Sequence, residues 1–188
     1  MSEIKEELFC KLSNYGWYVS ANFNFLDVLS IFQSIDENTF KQNEFILIDY
    51  YKKGLNKIEV SLLKKQLVKN KIISEAFKAH KNKMYYSSTI LFISIADGIC
   101  EGKIFSGKKE IKKSFFDSKK SHYFTNNILL NETAINEDSR KDETNFFSEL
   151  NRHKVMHGLS DDYGNEINSL KALSLLCFVS DWVDRVKK

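Results

Sequence analysis

The residues able to do chemistry converge on one short stretch, Leu150-Asn151-Arg152-His153-Lys154-Val155-Met156-His157-Gly158. It places a guanidinium and two imidazoles within about one and a half helical turns. Arginine grips phosphate and stabilises charge developing on it. A histidine titrating near neutrality shuttles a proton. Cleavage of RNA needs little more, because the 2′-hydroxyl is a nucleophile already present in the substrate. Arginine is scarce here: only Arg140, Arg152 and Arg185 occur, and lysine carries nearly all the positive charge. An arginine five residues before a histidine therefore stands out more than it would in an arginine-rich chain.

Three readings of the element compete. With Phe146 as the origin of a helical wheel at about 100° per residue, Leu150, His153 and His157 fall within roughly 40° of it, so both histidines share the apolar face. They then serve as core or interface side chains, with Arg152 at the surface. Alternatively, the i, i+4 spacing of His153 and His157 suits a helical zinc pair. The protease version of that pair needs a glutamate where Lys154 stands. In the third reading the element is a metal-free ribonuclease site. Arg152 lies about 140° from His157 on a straight helix, so the two groups meet only through the long arginine stem or through a second copy of the helix.

The elements that must position these groups are helical. Proline is absent from the 188 residues and only 7 are glycine, too little turn chemistry for a sandwich or barrel. Apolar spacing predicts helices over Ser2 to Tyr15 (stopped by Gly16), Phe23 to Phe32, Asp36 to Tyr51, Lys57 to Lys69 and Ile72 to His80, with Gly54 separating the third from the fourth. Tyr85 to Cys100 holds the β-branched run Ile90-Leu91-Phe92-Ile93, but its length argues for a buried helix enclosing Asp97. Phe146 to His157 and Glu166 to Val186 complete the set. The nearly apolar Leu173 to Val179 runs the last helix through the middle of a bundle. Residues 1–70 read as an N-terminal helical extension packed on a bundle formed by residues 71–188.

A net charge of +3 permits an anionic partner without demanding one. The lysine-rich Gly102 to Thr125 segment, with Phe115, Phe116, Tyr123 and Phe124 interleaved, could track an RNA backbone. The reading preferred is an amphipathic helix with Phe115 and Phe116 on the core. Trp17 is expected in the core. Cys10, Cys100 and Cys177 are far apart and set among apolar neighbours, as buried thiols of a reducing cytoplasm are. The charged N-terminus lacks signal-peptide character and the longest apolar run is too short to span a bilayer, so a cytoplasmic location with no membrane partner is expected.

The order of Ile95-Ala96-Asp97-Gly98-Ile99, the Leu-Asn-Arg-His-x-x-x-His-Gly element, Asp162-Tyr163-Gly164 and Asn168-Ser169-Leu170-Lys171-Ala172-Leu173 resembles the HEPN superfamily. The likeness covers roughly residues 72 to 186. It implies an all-α helical bundle of the HEPN type that forms a homodimer, with two Arg-His elements facing across a cleft. It also implies a metal-independent, cofactor-free endoribonuclease leaving a 2′,3′-cyclic phosphate, serving as a prokaryotic toxin or antiphage-defence effector with an antitoxin or defence-system partner. In that scheme His157 is the general acid and base, Arg152 clamps the phosphate and His153 orients the pair. Asn151 and Lys154 contact RNA, and Tyr163, in the loop after the element, either lines the cleft against RNA or caps the last helix. Leu159 stands where toxins regulated by a nucleotidyltransferase carry a tyrosine, so modification at that place is not implied. Since some members keep the fold without catalysis, the alternative is an inactive RNA-binding or scaffolding protein.

Overall fold

A computed structural model describes residues 3–19, 23, 40–118, 128–130, 133–135, 148 and 150–182. Among them the chain is all-α, with no strand. The principal helices are α1 (Glu3–Asn14), α2 (Phe40–Lys65), α3 (Asn70–Lys81), α4 (Tyr85–Ile99), α5 (Lys109–Ser118), α6 (Arg152–Met156) and α7 (Glu166–Trp182), and Leu67–Lys69 forms a 3-10 turn between α2 and α3.

Helix α7 is the axis. Every residue from Asn168 to Asp181 is buried, as its apolar run predicts. Helices α4 and α2 pack on it, and α3 folds back on α4. Ser88 meets Ser169 near the starts of α4 and α7, and Glu44 pairs with Lys171, Lys52 with Glu166 and Lys65 with Asp181 between α2 and α7. The segment after α1 is stitched to the same axis. Trp17 is fully buried and donates to Glu44 Oε1 at 2.8 Å. The Tyr18 amide donates to Ser174 Oγ at 3.1 Å, and the Tyr51 hydroxyl donates to the Tyr18 carbonyl at 3.0 Å. Helices on both sides of residue 70 contribute to one cluster of buried residues.

Two expectations about elements change. Gly54 does not separate two helices: α2 is a single 26-residue helix running through it. Glycine inside a helix costs roughly 1 kcal/mol relative to alanine, but a long helix with a buried face on α7 absorbs that. The Arg-His helix is short, five residues from Arg152, and Ser148 and Leu150 are not helical. Phe146, the origin of the wheel, lies outside the described residues, as do all of the helix expected over residues 23–32 except Phe23. The rest stands close to its expected bounds, α4 included. In α5, Phe115 and Phe116 are buried while Lys109 and Lys113 are exposed, the amphipathic arrangement preferred above. The remainder of the lysine-rich segment, from Lys119, lies outside the described residues. Cys100 and Cys177 are buried, Cys10 is half-buried, and none is in a disulfide. No helix among the described residues is long and apolar enough to cross a membrane.

Candidate functional site: the Arg-His element

Helix α6 begins where it does because Asn151 caps it. The Asn151 backbone is extended and its side-chain oxygen accepts from the Lys154 amide at 3.1 Å, satisfying a donor the first turn leaves free. Asn151, expected on RNA, is buried and in the structure caps the helix. Leu150 is fully buried just before it, Val155 is buried one turn on, and the Arg152 amide donates to the Ile135 carbonyl at 2.8 Å. These contacts fix both the rotation and the start of the helix. Gly158 ends it with φ +65°, a left-handed conformation that glycine adopts without a Cβ penalty.

That rotation separates the chemistry-bearing side chains. Arg152 is half-buried, its guanidinium 5.1 Å from the centre of the Phe105 ring. Its charge also acts on Asp97, on the last turn of α4. Burial pushes the Asp97 carboxyl above the ordinary aspartate range; Arg152, the backbone amides of Phe105 and Ile104, and the Lys112 charge pull the other way. The Asp97 Oδ1 atom is buried without a hydrogen-bond partner. A carboxylate in that setting is tolerated because backbone amides and cations stand near it. Lys112 is itself buried, so one lysine of the basic segment faces inward.

The histidines are not on the buried face. His153 and His157 are both exposed, and their rings lie 4.4 Å apart between centroids with planes inclined at 52°. The wheel places them inward because it assumes a helix extending back to residue 146; a five-residue helix anchored at Leu150 and Val155 is turned differently. His157 occupies the C-cap, its amide reaching the His153 carbonyl at 3.1 Å. Lys154 is exposed beside them. Among the described residues no group of three His, Cys, Asp or Glu side chains converges to hold a metal ion, so the zinc reading finds no third ligand there.

Tyr163 belongs to the loop carrying the chain from α6 back to the start of α7. It packs edge-on against Tyr86 of α4, with centroids 5.0 Å apart, and the Tyr86 hydroxyl donates to the Asp161 carbonyl at 2.6 Å. Gly164 lies directly against that tyrosine ring: a Cβ there would fall 2.2 Å from Tyr86 Cε2. The site thus rests on α4 at both ends, at Asp97 beside Arg152 and at Tyr86 under the returning loop. Phe105, Lys112 and Tyr86 carry no motif signal. Asp97 alone does, as a charge inside an otherwise apolar helix.

In comparisons with known protein families, with characterised proteins and with solved structures, the chain matches none.

Proposed function

We propose that the chain is a metal-independent endoribonuclease of the HEPN type, acting as a homodimer in a prokaryotic toxin or antiphage-defence system. One observation carries the reading: a solvent-exposed pair of imidazoles one turn from an arginine that lies over the Phe105 ring, its charge felt by Asp97. In the reaction the ribose 2′-oxygen bonds to phosphorus while the bond from phosphorus to the 5′-oxygen breaks. The His157 imidazole of one copy takes the 2′-hydroxyl proton, that of the second copy supplies a proton to the departing 5′-oxygen, and the guanidinium balances charge on the phosphoryl oxygens. His157 is assigned the proton transfer, Arg152 the phosphate and His153 the orientation of its neighbour. The products are a 2′,3′-cyclic phosphate and a free 5′-hydroxyl.

The test is cleavage of a labelled RNA pool by purified protein with EDTA present. Wild type is expected to cut and Arg152→Ala and His157→Ala to be inactive with unchanged circular dichroism. Equal cutting by all three ends the assignment, and activity lost on chelation alone moves it to metal chemistry. The inward-facing guanidinium favours a second reading, a catalytically silent HEPN-like RNA-binding or scaffolding protein. That reading predicts no cleavage of any RNA and no growth arrest on overexpression of either wild type or His157→Ala.

A further inference from the structure

Gly54 sits in the interior of α2, where a glycine needs a reason. Its backbone is not left-handed; the positive-φ glycines are Gly16, Gly102 and Gly158. Close packing does not demand it either, since a Cβ would meet only the flexible end of Ile58, at 3.3 Å. What the missing side chain leaves open is space. Residues four apart form ridges on a helix, and the ridge Tyr50, Gly54, Ile58, Leu62 lacks its second member. Across from it α7 contributes Cys177 and Asp181, and the resulting cleft measures about 470 Å³, within the usual range of small-molecule sites of roughly 300–1,000 Å³.

The adjoining ridge of α2 brings Lys53, Lys57 and Lys65 to the same cleft. Two of these charges are matched: Lys53 pairs with Asp49 at 2.6 Å, and Lys65 pairs with the buried Asp181. Lys57 makes no hydrogen bond or ion pair among the described residues. Among the described residues the cleft is an apolar notch with one unmatched ammonium at its edge, complementary to a molecule with an apolar body and one negative group.

We propose that the cleft between α2 and α7 binds a small amphiphilic anion, its aromatic or aliphatic body lying over Gly54 and its acidic group meeting Lys57. The site shares no residue with the Arg-His element, so it stands whether or not the protein cuts RNA.

The experiment titrates the full-length protein with 1-anilinonaphthalene-8-sulfonate, followed by fluorescence, and in parallel with uncharged N-phenyl-1-naphthylamine. Saturable binding of one sulfonate per chain is expected. Gly54→Leu puts a good helix former into the notch and is expected to weaken both probes roughly tenfold or more. Lys57→Glu, at an exposed position, is expected to weaken the sulfonate about tenfold and leave the neutral probe within about twofold. Circular dichroism checks that both variants are folded. No saturable binding, sulfonate affinity unchanged by Lys57→Glu, or equal loss of both probes in that variant overturns the proposal. Because Lys57→Glu does not touch the core, this arm decides the matter even if Gly54→Leu fails to fold.

Discussion

Replacing Gly164 by alanine tests the contact that ties the Arg-His loop to α4. The new methyl would sit 2.2, 2.3 and 2.4 Å from Cε2, Cζ and Cδ2 of Tyr86, where carbon atoms normally approach to about 3.5–4.0 Å. The ring therefore has to leave by more than an ångström. Tyr86 is 52% exposed, so it has solvent to move into, and the loss is what it leaves behind. That is its bond to the Asp161 carbonyl, worth about 0.5–1.5 kcal/mol net, and its edge-on contact with Tyr163, worth about 0.5–1.5 kcal/mol. Gly164→Ala is thus expected to cost about 1–3 kcal/mol, seen as a lower urea midpoint or as faster amide exchange confined to residues 158–165. The cause is isolated by repeating the substitution in a Tyr86→Ala background, where the methyl meets no ring and the cost falls to about 0.5 kcal/mol or less. An equal cost in both backgrounds would show that the backbone, not the ring, resists the change. No cost in either would show that Tyr86 does not hold the loop.

Asn151→Ala removes the cap of α6 and is expected to lower stability by about 1 kcal/mol in urea denaturation, with Asn151→Asp retaining most of it. His80 is buried, with Nδ1 2.8 Å from Ser169 Oγ, which in turn lies 2.6 Å from Ser88 Oγ. Burial holds its imidazole below the usual histidine range; Glu166 opposes this, and the Lys52 and Lys81 charges add to it. The unfolded chain accepts a proton on this residue near pH ~6.5 that the folded chain refuses, so stability should fall as pH drops below about 6.5. His80→Gln should flatten that slope, and an unchanged slope would remove His80 as its source. Arg152→Ala should cost more stability near neutral pH, where Asp97 must ionise with less compensation, than near pH ~4, where more of the raised carboxyl is protonated. Paired urea titrations at the two pH values check this, and a pH-independent loss would mean that Arg152 stabilises only through Phe105.

Where the pattern repeats over many residues, the fold was legible. The nearly apolar Leu173 to Val179 run placed α7 at the axis, and the length of the Tyr85 to Cys100 segment outweighed its β-branched propensity. Punctuation was less legible. Gly54 carries the same signal whether it ends a helix or merely thins one, and only packing on α7 decides between them. The wheel around Phe146 failed for a related reason: periodicity assigns faces only inside a helix, and α6 starts at Arg152, after its own cap. Asn151 was readable as a cap from its type alone, but its place beside Arg152 drew it toward chemistry. The surroundings of Arg152 were unreadable, since nothing in the spacing of Asp97 and Phe105 brings two separate segments to one guanidinium, nor Lys112 to the same carboxyl.

This placement bears on how a phosphate would have to approach. Were Arg152 to swing toward His157, it would leave Phe105 and expose Asp97 to the full cost of a buried, partly unsatisfied carboxylate. Under the ribonuclease reading two routes avoid that cost. Asp97 can take up a proton as the arginine departs, which couples substrate binding to proton uptake. Otherwise Arg152 stays in place and the phosphate comes to it, with the imidazoles supplied by a second copy. The routes differ in an observable way. Asp97→Asn removes the need for a proton on the first, so RNA affinity at neutral pH should exceed that of wild type and lose its pH dependence. On the second, the same substitution weakens the positioning of Arg152 and lowers cleavage at every pH. Mixed dimers then discriminate further, because Arg152→Ala and His157→Ala chains combined should regain one working site only if each site draws on both copies.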